Sequence, residues 1–283
     1  MVYGKELPSP SLRERTRQAM KENVAEARIY AGFFIALFIM YMLFSDGDFS
    51  FLLTLSSLIS FLSFMIVAYC IESSGSCKGI SLETVMCYVF LLFSRLVSII
   101  PFQGYLPSDS SGDFLYQFSE FMSFAFASYI CYLCKIKYKD TYEKELDTMK
   151  GQYILIPSFV LAVIMHPSLN RNFLGDTFWA FALYVETFCV LPQLVMFQAT
   201  DNANASTVHF TAAQSVSKIL GFVFWLSTFK ELNSRGHILK HYVGNWVIFT
   251  QFLQILIVAD FVYHYVQCIT KGIPVERIMA EDV

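Results

Sequence analysis

Two basic residues, Arg95 and Lys218, lie inside long apolar stretches of the sequence, and Glu186 lies in a third. A charge near the centre of a bilayer costs about 2.5–3.5 kcal/mol on insertion scales, so such residues usually face one another or a wet cavity. Arginine offers a planar fork that fits a carboxylate, and lysine offers a compact charge. The three residues predict a polar cavity that binds an anion. The structural alternative is that these charges merely pair with one another, for example Lys218 with Glu186.

Helical spacing places aromatic residues beside these charges. Trp179 precedes Glu186 by seven residues, and Lys218 precedes Trp225 by the same interval. Each pair therefore shares nearly one face of a helix with 3.6 residues per turn. A face that carries both a tryptophan and a charge is better support for a lined site than an aromatic face alone. Asp260 adds a further charge well inside the last apolar stretch.

The elements that must position these residues are long apolar segments. The 283 residues are 55% hydrophobic and 15% charged, against about 45–50% apolar and about 25% charged in a typical soluble domain. Most segments approach the roughly 20 residues that cross a bilayer, and none alternates like a barrel strand. We predict an all-α transmembrane fold of eight helices. The segments are 29–45, 49–71, 81–102, 112–134, 151–166, 173–197, 207–229 and 242–267.

The connecting segments predict the orientation. Eight helices with both termini in the cytosol place fourteen of the 20 basic residues on the cytosolic side and four on the other, as the positive-inside rule requires. The sequon at Asn204 then lies in the cytosol and should stay unmodified. The predicted parts are a basic amphipathic cytosolic segment (1–28), an extra transmembrane helix with a lumenal turn (29–48), a seven-helix domain (49–270) and a cytosolic tail (271–283).

Other chemistry is not indicated. The seven cysteines are odd in number and lie mostly in or beside apolar stretches, which argues against a disulfide framework. Cys131 and Cys134 form a single pair, whereas a structural zinc site needs four ligands. We find no phosphate loop, nucleophile elbow or HExxH motif. We therefore predict neither an enzyme nor a metal, cofactor or nucleic-acid partner.

Residues 179–194 carry the pattern W-x-F-x-x-Y-x-E-x-x-x-x-L-P-Q-L. With shorter pieces in the same order, this pattern resembles the ER lumen protein retaining receptor family, the KDEL receptors, over about residues 49–275. The Pro192–Gln193 pair also resembles the Pro-Gln motif of the PQ-loop and SWEET-type transporters, whose fold the KDEL receptors share. The resemblance therefore implies a bundle of that type for the last seven helices. The first 48 residues resemble the longer KDEL-receptor-like proteins. The shorter pieces are Cys77–Ser81, Phe93–Leu96, Lys135–Lys137, Thr141–Tyr142, Ile156–Pro157 and Ala259–Phe261.

The resemblance implies a sorting receptor of the ER and Golgi membranes. Such receptors bind an acidic C-terminal tetrapeptide of lumenal proteins at low pH and return these proteins from Golgi to ER. The implied partners are that peptide, the vesicle coat on the cytosolic side and membrane lipid. Arg95 matches the carboxylate-binding arginine, Lys218 stands where the family has arginine, and Ser98 stands where it has an acid. The implied ligand-binding residues are Arg95, Ser98, Asp176, Trp179, Glu186, Lys218, Trp225 and Asp260.

Several positions depart from the family pattern. Leu53 and Ser60 stand where the first helix of the family carries an arginine and a pH-sensing histidine, and Gly221 and Thr228 replace a tyrosine and an arginine. These losses predict altered signal specificity and weaker binding of a standard KDEL peptide. Two other functions stay open, namely a small-solute transporter of the PQ-loop or SWEET type and a trafficking adaptor with a vestigial cavity.

Overall fold

The computed structural model describes residues 51–100, 113–168, 172–200, 202–233 and 242–278, and for residues 113 and 231 the backbone alone. This part of the chain is helical and contains no strand. Its α-helices are α1 (Phe51–Ser74), α2 (Leu82–Ile99), α3 (Asp113–Tyr132), α4 (Gln152–Ile164), α5 (Phe173–Phe188), α6 (Leu191–Gln198), α7 (Ala205–Thr228) and α8 (Val243–Lys271).

Seven of the eight predicted apolar segments match these helices. The first, 29–45, lies outside the described residues, together with the segments 1–28 and 29–48. The sixth is divided into α5 and α6 because Pro192, in the first turn of α6, has no backbone N–H and its ring crowds the carbonyl four residues earlier. The last helix ends at Gly272, whose left-handed backbone (φ 66°) forms the C-cap, as glycine commonly does.

Length and hydropathy mark four spans as able to cross a membrane: Phe51–Ser74, Leu82–Ile99, Phe173–Gln198 and Val243–Lys271. The helix α7 is more polar, but its polar side chains point inward: Gln214, Ser217 and Lys218 are all buried. Large apolar side chains such as Phe90 and Phe93 are exposed instead. This arrangement, with polar side chains inside and apolar side chains outside, is the one expected in lipid, where polar groups must be satisfied inside the protein. The prediction of an all-helical transmembrane bundle is confirmed.

Six helices form a closed ring around the interior of the bundle. The main contacts run from α1 to α7, from α7 to α8, from α8 to α5, from α5 to α2, from α2 to α3 and from α3 back to α1. The short helix α4 packs on the outside of α5. The ring therefore encloses a central space to which α1, α2, α3, α5, α7 and α8 can all contribute side chains.

One end of the bundle is held by the buried carboxylate of Asp147. It accepts hydrogen bonds from Ser81 Oγ (2.8 Å), from the backbone N–H of Glu83 (3.1 Å) and from Tyr142 Oη (2.6 Å). Ser81 is also the N-cap of α2, so a negative charge lies at the positive end of that helix. Burial and the Asp147 carboxylate raise the pKa of the Tyr142 phenol, which keeps it a hydrogen-bond donor.

Gln193 joins the break between α5 and α6 to the same end of the bundle. Its Oε1 accepts from the backbone N–H of Ser81 (2.8 Å), and its Nε2 donates to the carbonyl of Gly79 (3.0 Å). Gly79 has a left-handed backbone, and a Cβ there would lie 2.7 Å from a side-chain atom of Asn204. The Cys77–Ser81 and Pro192–Gln193 pieces of the sequence pattern are therefore parts of one junction.

Candidate functional site

Arg95 lies at the centre of a charged cluster inside the ring. Its side chain extends from α2 and donates to both carboxylate oxygens of Glu120 on α3 (3.2 and 3.3 Å) and to Glu186 on α5 (2.6 Å). Charge-assisted bonds of this kind are among the stronger ones in proteins. Arg95 thus links three helices, at roughly 20 Å along α2 from the Asp147 end.

Lys218, from α7, has different neighbours. Its Nζ donates to the backbone carbonyl of Glu186 (2.8 Å), lies 3.6 Å from Cys189 Sγ and lies 5.7 Å from the centre of the Tyr88 ring. The alternative that the buried charges pair with one another holds for Arg95, which forms ion pairs with Glu120 and Glu186. The example of Lys218 with Glu186 does not, because Lys218 bonds to the backbone carbonyl of Glu186 and not to its carboxylate. Among the described residues Lys218 is buried, 3% exposed, without a carboxylate within ion-pair distance.

A hydrogen-bonded seam between α1 and α7 fixes the helix that carries Lys218. Ser56 Oγ donates to the carbonyl of Ser217 (2.9 Å), and Gln214 Nε2 donates to Ser60 Oγ (3.1 Å) and Ser63 Oγ (2.7 Å). Polar side chains often join helices within membranes in this way. The seam holds the register of α7, and hence the level at which Lys218 and the residues around it face the interior.

These charges line a cavity, which we term the charged cavity. It offers about 40 Å³ to the centres of water-sized molecules, so this conformation holds little more than water. Trp179 and Trp225 meet edge to face in its wall, with ring centres 5.6 Å apart. Its lining residues are Leu53, Ser56, Arg95, Tyr116, Glu120, Trp179, Leu183, Glu186, Lys218, Gly221, Trp225 and Gln251.

Five of the eight predicted site residues meet in the charged cavity, and three do not. The five are Arg95, Trp179, Glu186, Lys218 and Trp225, so the helix faces that carry a tryptophan and a charge do converge.

The other three lie elsewhere. Ser98 is buried and donates to the carbonyl of Gly175 (2.9 Å), so it ties α2 to the start of α5. Asp176 is buried in the first turn of α5. Asp260 is 73% exposed on α8, and its carboxylate lies 3.6 Å from His264 Nε2. A ligand-binding role for any of the eight stays a prediction.

Sequence reasoning did not assign seven of the twelve lining residues to the site, among them Glu120, Tyr116 and Gln251. Glu120 was visible as a carboxylate within an apolar stretch, but nothing in the sequence pairs it with Arg95, 25 positions away. Tyr116 lies one turn earlier on α3 and lines the same wall. Gln251 is a neutral residue on α8, and a neutral amide in a long helix gives no comparable signal. In the described ranges no group of His, Cys, Asp and Glu is placed to hold a metal ion.

Comparison of the sequence with known proteins identifies the family of this chain. The sequence model of the family described as ER lumen protein retaining receptor matches residues 76–228, and this range includes all five predicted residues that meet in the charged cavity. The chain belongs to this family. The matched region contains more than half of the chain, and the family is named for a receptor rather than for an enzyme.

Individual relatives agree with the family match over most of their length. The ER lumen protein-retaining receptor A of Arabidopsis thaliana is 27% identical over 218 residues, covering 75% of this chain and 89% of its own. The receptor erd-2.2 of Caenorhabditis elegans is 26% identical over 211 residues, covering 72% and 87%. The Dictyostelium discoideum receptor is 26% identical over 208 residues, again covering 72% and 87%. At this level of identity the residues that line the cavity can differ between members of the family.

Two of the departures from the family pattern lie in the cavity wall. Leu53, on α1, and Gly221, on α7, both line it, at positions where the resemblance implies an arginine and a tyrosine. Ser60, at the position of the pH-sensing histidine, bonds to Gln214 instead. This family member therefore has one cation and one aromatic ring fewer in its cavity wall than the resemblance implies.

Proposed function

We propose that this family member binds the C-terminal carboxylate of lumenal proteins in the charged cavity and returns these proteins from Golgi to ER. The observation that carries the proposal is Lys218. A buried ammonium without an ionic partner is costly unless a ligand supplies the opposite charge. Its three N–H donors contact one carbonyl oxygen at 2.8 Å and one thiol at 3.6 Å, so it retains capacity for a carboxylate.

Arg95 has a different part in this proposal. Two carboxylates already bind it, so an entering anion competes with Glu120 and Glu186 for its donors. We assign Lys218 as the primary contact of the ligand carboxylate, and Arg95 as the second cation, reached when one of its carboxylates moves aside. The narrow cavity requires the ring to widen as the peptide enters, which binding energy can drive.

Signal specificity is expected to differ from that of a standard KDEL receptor. Leu53 offers no charge to an acidic side chain of the ligand, and Gly221 offers no ring to pack on it. Both losses weaken binding of the peptide ending in Lys-Asp-Glu-Leu. Transport itself requires contact with the vesicle coat on the cytosolic side, within lipid of the ER and Golgi membranes, and we expect both termini to lie in the cytosol.

The test uses the purified full chain and a set of peptides with varied last four residues. Replacement of Lys218 by glutamine should weaken the best peptide at least about tenfold, since it removes a charge-assisted contact. The matched control is Lys78→Gln, because Lys78 is 69% exposed and pairs with Glu143 at the other end of the bundle. That control should bind within about twofold of wild type. Equal loss in both variants, or none in Lys218→Gln, contradicts the proposal.

In cells, the same proposal concerns secretion. Deletion of the protein should raise the secretion of lumenal reporters that carry the best-binding tetrapeptide, and leave unchanged those that carry an amidated or scrambled tail. Lys218→Gln should fail to restore retention, whereas Lys78→Gln should restore it. Secretion that does not depend on the reporter tail would contradict a receptor function.

A further inference from the structure

Gly221 and Gln251 line the charged cavity without taking part in its ion pairs. Gly221, on α7, lines the cavity, and a Cβ added there would meet no heavy atom within 4 Å. Gln251, on α8, lines the same cavity and is 2% exposed, and its Nε2 is buried without a hydrogen-bond partner in the described ranges. An empty space and an unsatisfied donor thus occur in one cavity, and buried donors are normally satisfied.

The two residues lie at the same level of the bundle. Each is followed in the sequence by a phenylalanine, and the rings of Phe222 and Phe252 are 6.5 Å apart between the packed helices α7 and α8. On α7, Gly221 is three residues after Lys218 and four before Trp225. Residues at such spacings are neighbours on one helix face, about 5–6 Å apart.

We propose that Gly221 and Gln251 form a subsite for an oxygen-bearing side chain on the last residue of the bound peptide. The assignment rests on the proposed function, in which Lys218 holds the terminal carboxylate. In the last residue of a peptide, the Cα carries both the terminal carboxylate and the side chain. When Lys218 holds the carboxylate, the side chain is therefore the part of the ligand that reaches the space at Gly221, about one helical turn along α7.

The chemistry of the walls selects this class of side chain. Trp179 and Trp225 meet edge to face in the cavity wall, where their rings would cover the methylene groups of the side chain, and the Gln251 amide would donate to the oxygen at its end. A hydrocarbon side chain of the same length would fill the space but leave Nε2 of Gln251 unpaired. Sites that hydrogen-bond a polar group of the ligand reject analogues that lack it for this reason.

Gln254 is a second buried glutamine with an unsatisfied amide, and it differs from Gln251 in its position relative to the charged cavity. It lies on the same helix, is 1% exposed, and has neither amide atom bonded among the described side chains and backbone. It does not line the charged cavity. An unsatisfied amide alone therefore identifies no subsite, and Gln254 provides a control with the same chemistry at a different place.

The test compares two peptides that differ only in the last residue, glutamine or methionine, on the purified full chain. Wild type should bind the glutamine peptide about five- to tenfold more tightly, as one hydrogen bond to a buried donor provides. Gln251→Leu should reduce this ratio to within about twofold, and Gln254→Leu should keep it. Gly221→Leu fills the space and should weaken both peptides while sparing one that ends in glycine.

An equal affinity of wild type for the two peptides, or an unchanged ratio in Gln251→Leu, overturns the subsite. If no peptide binds wild type, the proposed function fails, and the subsite is then tested by itself with N-acetylglutamine and N-acetylmethionine in thermal unfolding. Stabilisation of wild type by the glutamine derivative alone, lost in Gln251→Leu, supports the subsite. The absence of any stabilisation overturns it as well.

Discussion

Arg95 and Lys218 carry the same charge inside the same cavity, but their surroundings give them different roles. Arg95 forms ion pairs with both Glu120 and Glu186, whereas Lys218 contacts only uncharged groups, namely a carbonyl, a thiol and the face of a ring. The four formal charges sum to zero, but both carboxylates bind Arg95, so Lys218 has no ion pair of its own in the described ranges. Removal of one partner from a buried ion pair typically costs about 3–5 kcal/mol, so these residues should respond strongly to substitution.

Glu120→Gln should change ligand affinity and stability in opposite directions. The cavity gains net positive charge and Arg95 loses a competing carboxylate, so a peptide with a free terminal carboxylate should bind about three- to tenfold more tightly. The ligand-free protein should unfold at lower temperature, because Arg95 keeps a single partner. Peptide binding and thermal unfolding of the same preparation measure both effects. Weaker peptide binding would show that Glu120 contacts the ligand favourably instead.

Arg95→Gln should destabilise the ligand-free protein by about 3–5 kcal/mol, since two carboxylates then face each other without a cation. The double variant Arg95→Gln, Glu120→Gln should be more stable than the single one, because it removes one of the two repelling charges. Unfolding in detergent of wild type, both single variants and the double variant gives the coupling energy. Additive effects would contradict a direct interaction of Arg95 with Glu120.

The sequence identifies the charges of the site better than their partners. Arg95, Lys218 and Glu186 are conspicuous because charges are expensive in apolar helices. Their pairing depends on how helices far apart in sequence pack, which spacing along one helix does not encode. Gln251 gives no signal at all before the structure, since only its burial and the space at Gly221 make it informative.

Among the elements, the divided span of α5 and α6 connects the two ends of the bundle. Glu186, in α5, faces the charged cavity, and Gln193, at the start of α6, bonds to Ser81 and Gly79 at the Asp147 end. The break before Pro192 lets one span satisfy both requirements with two separate helices. The sequence predicts one apolar segment here, and the proline near its C-terminal end is the indication that it divides.

Asp147→Asn should destabilise the bundle by about 2–4 kcal/mol. The buried carboxylate accepts three hydrogen bonds and neutralises the N-terminus of α2, and an amide would place N–H donors against at least one of those donors. Glu145→Gln, an exposed acid in the same loop, is the control and should stay within about 0.5 kcal/mol. Thermal unfolding compares the two.

Equal stability of the two variants would show that Asp147 is not needed to hold α2 and the 138–151 loop together. Peptide affinity supplies a second comparison, because the charged cavity lies at a distance from Asp147. Asp147→Asn should leave the affinity of the folded fraction within about twofold of wild type. A selective loss of affinity without loss of stability would indicate that this end of the bundle controls the cavity.

At the scale of the whole molecule, the described residues form a ring of helices with a polar interior and an apolar exterior, and the charges of the connections predict its orientation. The basic connection 135–150 lies at the Asp147 end, which the positive-inside rule places in the cytosol. The charged cavity, displaced along α2 from that end, would then be nearer the lumen, where the proposed peptide ligand is found. The apolar segments found in the sequence predict the ring's helices, but the order in which these helices pack comes only from the structure.

Glycosylation sites test this orientation. Asn204 lies at the predicted cytosolic end, where its Oδ1 caps α7 and its Nδ2 donates to the carbonyl of Lys78 (3.3 Å), and it should carry no glycan. A sequon within a short polar insert after Gly236, in the connection predicted to be lumenal, should be modified, and an endoglycosidase should reverse the resulting shift in mobility. The same insert in the 138–146 connection should stay unmodified. A glycan at that second site, with none after Gly236, would invert the predicted topology. The charged cavity would then lie nearer the cytosol, where a lumenal peptide cannot reach it.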